Sequence, residues 1–161
     1  MGEVDVPLIE YDIGAAIERA VSCWPDNEAL VSCHEDIRLS FAELNRQVSA
    51  LAIGLRKLGL RSGDRIAIWA PTCAAWTLLQ FASARAGLIL VTFNTAYRRV
   101  ELEHVLNLSG ARAIVMAPGF KDIDYAAELS GIAAPDLEFR IWLGDAPPAG
   151  YDANHCLYRR C

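Results

Sequence analysis

Lysine is almost missing from this 161-residue chain, which holds only Lys57 and Lys121. The net charge of −5 argues against nonspecific nucleic-acid binding, because phosphate contacts need clustered Lys and Arg. Glycine never clusters either. There is no GxGxxG and no GxxxxGK[ST], and Ser62-Gly63, Ser109-Gly110 and Ser130-Gly131 read as ordinary helix ends or turns. The absence of a GxSxG elbow leaves an α/β-hydrolase unsupported. No stretch is apolar for the roughly 20 residues a membrane helix needs, since Pro71, Arg85 and Asn94 interrupt the longest runs. The five cysteines are odd in number, widely spaced and never paired as CxxC, so neither a disulfide framework nor a zinc site is expected. They read as reduced thiols, some buried as small apolar groups, and the expected location is cytoplasmic. The acidic start, MGEVDVPLIEYD, matches neither a secretory signal nor an Arg-rich transit peptide, and Gly2 lacks the context of a myristoylation site.

What is present is a chain long enough for a real core, with 53% hydrophobic and 22% charged residues. Its plan is set by the run from Gly63 to Tyr97, GDRIAIWAPTCAAWTLLQFASARAGLILVTFNTAY. Arg65 to Trp69 is a short apolar run rich in Ile, broken by Pro71 and Thr72. Ala74 to Ala86 is apolar on nearly every face and is closed by Gly87. Leu88 to Phe93 is a second apolar run. Two continuous apolar strands joined by a helix form a βαβ unit, with both sheet faces covered.

Around this unit, Tyr11 to Cys23 reads as a helix stopped by the Trp24-Pro25-Asp26-Asn27 turn. Glu28 to Cys33 and Ile37 to Ser40 read as a hairpin about His34-Glu35-Asp36. Ser40-Phe41-Ala42-Glu43 is a capping box, and Phe41, Leu44, Val48, Leu51, Leu55 and Leu58 give the following helix one apolar stripe. Gly59 suits a left-handed helix end, with Leu60 making the accompanying apolar contact. Further on, a helix is expected to Ser109, a strand over Arg112 to Ala117, a weaker helix over about 121–129 and a fourth strand over Phe139 to Leu143. The fold class is therefore α/β: an open, mostly parallel three-layer sheet with an antiparallel hairpin edge. Residues 1–143 form the domain. Residues 144–161 form a divergent tail, and Tyr151 to Cys161 is expected to be poorly ordered.

Open α/β sheets bind ligands at the carboxyl ends of their strands. Here those ends are Trp69-Ala70-Pro71-Thr72, Phe93-Asn94-Thr95-Ala96-Tyr97 and Ala117-Pro118-Gly119-Phe120-Lys121. Lys121 is the one cation placed after a strand to meet a phosphate. Trp69, Trp76, Phe81 and Phe93 read as core, with a pocket wall as the alternative. His34, His104 and His155 show no spacing that would converge on a metal and read as solvated or locally hydrogen-bonded. Arg98-Arg99 and Arg159-Arg160 read as solvated charge. No catalytic residue and no metal ligand is assigned.

Four segments carry a family resemblance: ALVSCHEDIRLSFAELNRQV (Ala29 to Val48), LRSGDRIAIWAPTCAAW (Leu60 to Trp76), QFASARAGLILVTFNTAYRRVELEHVLN (Gln80 to Asn107) and ARAIVMAPGFKDIDY (Ala111 to Tyr125). They resemble the N-terminal part of the acyl- and aryl-CoA synthetase, adenylation-domain and luciferase superfamily. Leu39-Ser40-Phe41-Ala42-Glu43-Leu44 matches its first core motif, and Ala84 to Asn94 its second. HEDIRLSFAEL and FNTAYR look most like medium-chain fatty acyl-CoA synthetases. The resemblance covers roughly Pro7 to Leu143.

That resemblance implies an AMP-forming ligase. The complete enzyme would join a fatty acid to AMP using ATP and Mg²⁺, then pass the acyl group to CoA. It also implies parts that this sequence does not contain: the Ser/Thr/Gly-rich phosphate loop, the Y-G-x-T-E motif, the ribose-binding Asp, the hinge and the C-terminal catalytic Lys. Adenylation needs a loop that grips triphosphate and a cation that offsets transition-state charge. The chain alone is therefore expected to be inactive and to bind none of these cofactors tightly, with Lys121 the candidate for a CoA or phosphate contact. A truncated or frameshifted product, or one segment of a split enzyme, is the expected origin. The alternatives are a non-enzymatic CoA- or nucleotide-binding module and the interaction half of a split synthetase. Helix Ala74 to Ala86 is expected to lack cover on one side, leading to self-association through that surface or pairing with a missing C-terminal portion.

Overall fold

The computed structural model describes residues 10–144 and 146–153. The expectations placed on residues 1–9, His155, Cys156, Arg159-Arg160 and Cys161 lie outside the described residues.

Helix α1 (Ile13–Cys23) starts two residues later than its periodicity suggests, because the Asp12 side chain accepts the Ala15 N–H and caps it. Strands β1 (Glu28–Ser32) and β2 (Ile37–Ser40) form the expected antiparallel hairpin, as a two-stranded sheet of their own. Helix α2 (Phe41–Lys57) opens on the capping box: Ser40 Oγ accepts the Glu43 N–H, and the Glu43 carboxylate accepts the Ser40 N–H at 2.9 Å. It closes on a Schellman turn. The Leu60 N–H reaches the Leu55 carbonyl, the Gly59 N–H reaches that of Arg56, and Gly59 takes φ 109°. Between these ends Leu44, Val48, Leu51 and Leu55 are buried, each worth about 1.5–3 kcal/mol against exposure.

The main sheet begins with β3 (Arg65–Trp69), followed by α3 (Ala74–Ala86), β4 (Ile89–Thr92), α4 (Arg99–Ser109) and β5 (Ala113–Met116). Next come β6 (Gly119–Phe120), β7 (Ile123–Asp124), α5 (Tyr125–Leu129), β8 (Phe139–Trp142) and β9 (Asp152–Ala153). The strand order is β4-β3-β5-β8-β9, all parallel. The chain steps from β3 out to β4, then crosses back over β3 to β5. Right-handed crossovers that run in opposite directions across the sheet place α3 and α4 on opposite faces, giving three layers. Ile66, Ala67, Ile68 and Trp69 are all fully buried, so β3 shows no alternation.

Several expectations change. The weak helix over 121–129 is instead the β6–β7 hairpin followed by the short α5. Lys121 takes a left-handed φ of 54° at the tip, and Asp124 accepts the Ala127 N–H to cap α5. Gly119 leaves no room for a side chain, because a Cβ there would strike the Ile123 carbonyl. The segment from Tyr151 is not wholly without structure: Asp152–Ala153 pairs in parallel with β8, while 154–161 lie outside the described residues. Strand β4 is not covered like β3. It is the sheet's edge, and Ile89 stays half exposed. Helix α3 is better covered than its composition suggests: only Gln80 is exposed, although Trp76 and Phe81 are half buried.

Arg98 and Arg99 are not merely solvated. The Arg98 guanidinium bridges Asp122 at 2.7 Å and Glu128 at 3.1 Å, and the Arg99 N–H donates to Glu128, tying α4 to α5 and the hairpin. At the amino end of the sheet Arg112 joins Asp64, after α2, to Glu138, before β8. The Arg61 N–H and Arg112 hold the Asp64 carboxyl below its usual range, and Arg112 does the same for Glu138.

Trp69 and Tyr125 stack in the core, with ring centroids 3.7 Å apart and an interplanar angle of 12°. Burial pushes the Tyr125 phenol up from 10.0 to about 12. The unfolded chain therefore releases this proton first. Stability is intact below pH 10 and falls as the pH rises toward 12. Tyr125→Phe is expected to remove that loss, while costing about 1 kcal/mol at neutral pH through the lost hydrogen bond to Thr95. Urea midpoints on either side of pH 10 check both effects. Ser40→Ala is expected to cost about 1 kcal/mol at any pH in that range through loss of the cap.

Candidate functional site

The connections leaving β3 and β5 run in opposite directions across the sheet and open a crevice at their carboxyl ends, which is where doubly wound sheets bind ligands. A cavity of about 430 Å³ occupies that place. Pro71, Thr72 and Cys73, leaving β3, and Ala117, leaving β5, make one side. The other is the turn of the β1–β2 hairpin, His34, Glu35 and Asp36. Sequence reasoning identified both strand ends but not the hairpin's part in the wall.

Glu35 fastens the hairpin there. Its side chain is only 5% exposed, and its carboxylate accepts the Ala74 N–H at 2.7 Å and the Ser32 hydroxyl. Ala74 is the first residue of α3, whose N-cap residue, Cys73, does not cap the helix with its own side chain. Glu35 thus caps α3 from 39 residues away, a carboxylate held against the positive end of a helix. His34 lies beside it, Nδ1 3.3 Å from Ser32 Oγ and Nε2 3.7 Å from the carboxylate, with its side chain 66% exposed. No local period marks Glu35, because its partner is distant in sequence; the turn between two short strands was its only signal.

Beneath the cavity, the fully buried Trp69 donates from Nε1 to the Asn94 carbonyl at 3.0 Å, and Tyr125 donates to the Thr95 carbonyl at 2.9 Å. The stacked pair thus pins the loop after β4. Trp69 and Phe93 are core, as expected. The apolar lining, the buried Cys73 and the helix-capping carboxylate can seat a small uncharged group; the described lining includes no Lys or Arg.

Lys121 is not brought into this cavity. It is exposed at the tip of the β6–β7 hairpin, with Nζ 5.3 Å from the centre of the Phe120 ring. His104 lies exposed on α4, away from His34. Among the described residues no group of three or more His, Cys, Asp or Glu side chains could hold a metal, and no helix is long and apolar enough to cross a membrane.

The AMP-binding enzyme family model matches residues 17–148. The chain is 43% identical over 137 residues to the mitochondrial medium-chain acyl-CoA ligase ACSF2 of Mus musculus, covering 85% of this chain and 22% of that protein. The Danio rerio protein of the same name is 37% identical over 132 residues, covering 82% and 22%. The chain thus spans about a fifth of the length of these relatives. Among solved structures, the anthranilate CoA ligase AuaEII in complex with anthranoyl-AMP superposes with a TM-score of 0.80 at 24% identity, covering 98% of this chain and 29% of that one. The N-terminal domain of FACL13 from Mycobacterium tuberculosis superposes with a TM-score of 0.75 at 22% identity, covering 83% and 33%. At those identities both likenesses speak for the fold alone.

Glu35→Ala is expected to cost about 2 kcal/mol, because it removes a charge-assisted hydrogen bond and uncaps α3. Amide exchange at Ala74 should rise with it, whereas Asp36→Ala should leave that amide unchanged.

Proposed function

Since this chain belongs to the AMP-binding enzyme family, we propose that it is the N-terminal segment of a fatty acid–CoA ligase. The complete enzyme converts ATP and a medium-chain carboxylate to acyl-AMP with Mg²⁺, then forms acyl-CoA. The observation that carries this reading is the match to medium-chain acyl-CoA ligases along 85% of the chain. In this reading the segment supplies scaffold. Its parallel sheet and the cavity at the β3 and β5 ends abut the active site, while the groups that grip triphosphate belong to the remainder, with which it pairs. The absence of a glycine-rich phosphate loop and the presence of only two lysines support a chain that does not adenylate alone. A cytoplasmic location fits the free thiols of Cys23 and Cys33, although the vertebrate relatives are named mitochondrial.

A chimera tests the reading. This chain is put in place of the matching segment of the Mus musculus ligase and assayed for medium-chain acyl-CoA formation. Activity within about tenfold of the parent is expected. A folded chimera with no acyl-CoA formation would contradict the proposal. In the same chimera Lys121, exposed on its hairpin, is the residue proposed to meet a CoA phosphate. Lys121→Ala should raise KM for CoA by roughly threefold to tenfold with kcat unchanged, the pattern of lost uniform binding.

A further inference from the structure

The β8 side of the sheet is closed by a short later segment of the same chain. In β8 the Phe139 N–H donates to the Arg112 carbonyl and the Leu143 N–H to that of Met116, so residues 139, 141 and 143 face β5. The N–H and C=O of Arg140 and Trp142 therefore point outward. β9 meets them. With Ile141 opposite Asp152, a parallel ladder gives the Trp142 N–H to the Asp152 carbonyl and the Asp152 N–H to the Arg140 carbonyl. This strand is only two residues long. Among the described residues its connection to β8 holds no helix of the kind that normally packs a parallel strand in place.

Two further contacts hold it. The Tyr151 N–H donates to the Pro148 carbonyl at 3.2 Å, closing a turn whose third residue, Gly150, takes the positive φ, 86°, that a type II turn needs. A Cβ on Gly150 would meet nothing within 4 Å, so this pivot stands clear of the body of the domain. The Tyr151 ring sits edge-on to Trp142, with centroids 5.6 Å apart and planes at 71°. Burial raises the Tyr151 phenol above the ordinary tyrosine range. Trp142 is a fixed platform: it is buried, and Gly144 packs so closely on its Nε1 that a Cβ there would strike it. We infer that residues 148–153 form a detachable strap. It turns at Gly150, latches through Tyr151 on Trp142, and lifts off β8 as a local unit while the rest of the sheet stays folded. Closed, it pairs the outward groups of Arg140 and Trp142 and guards that edge against other strands. Open, it frees those groups and uncovers the Trp142 indole.

Residue-resolved hydrogen exchange on the whole chain tests the strap, with rates corrected for intrinsic exchange. The Ile141 amide, which faces β5, is the internal reference. In the wild-type chain the Trp142 amide should exchange about tenfold or more faster than Ile141, yet about tenfold or more slower than an unfolded amide. Tyr151→Ala removes the latch and should speed Trp142 exchange by about tenfold with Ile141 unchanged. Tyr151→Phe keeps the ring and should stay within about twofold of wild type. Asp152→Pro removes the N–H given to Arg140 and should act like Tyr151→Ala. Trp142 and Ile141 exchanging at one rate in the wild type overturns the proposal, because the edge then opens only with the whole domain. So does a wild-type Trp142 amide as fast as a free chain, since no strap is then closed. A Tyr151→Ala chain in which Trp142 is unchanged, or in which both amides accelerate together, overturns it as well.

Discussion

The structure depends on one strand with no exposed side. After Arg65, every residue of β3 to Trp69 is fully buried, so the strand needs a neighbour on each edge and a helix layer on each face. β4 and β5 take the edges. Right-handed crossovers that leave in opposite directions supply the layers, and the same reversal opens the cavity at the strand ends. Fold and candidate site therefore follow from one constraint.

Polar contacts then fix what the buried strand leaves undetermined. At the carboxyl end, Trp69 and Tyr125 stack and tie the loop after β4 through two carbonyls, while Glu35 holds the hairpin turn against the start of α3. At the amino end, Arg112 ties Asp64 to Glu138, joining the approach to β3 with that to β8. Both sets link parts of the chain more than 20 residues apart and lie next to strand ends; the carboxyl-end set borders the cavity.

What the sequence made legible is local. The Ser40–Glu43 capping box, the Gly59 turn and the runs at β3, β5 and β8 each place their signal within a few residues of the structure they cause. What it concealed is non-local. Glu35 caps a helix 39 residues away, Arg98 is drawn to Asp122 and Glu128 only once α5 has packed, and β9 gains its identity from β8. The helix expected over 121–129 failed because a left-handed Lys121 and a sterically enforced Gly119 outweigh a modest helical pattern. The apolar character of β4 was plain, but its place at the edge depends on strand order, which hydropathy does not encode. Within the site, strand-end loops could be named from topology, whereas the hairpin wall could not.

The family's fold is thus present in a chain that spans about a fifth of the length of its relatives and whose sequence contains no glycine-rich phosphate loop. The most direct measurement is pyrophosphate release by the pure chain given ATP, Mg²⁺ and a medium-chain fatty acid. The account predicts no release above the protein-free control. Sustained release that depends on the fatty acid would contradict it.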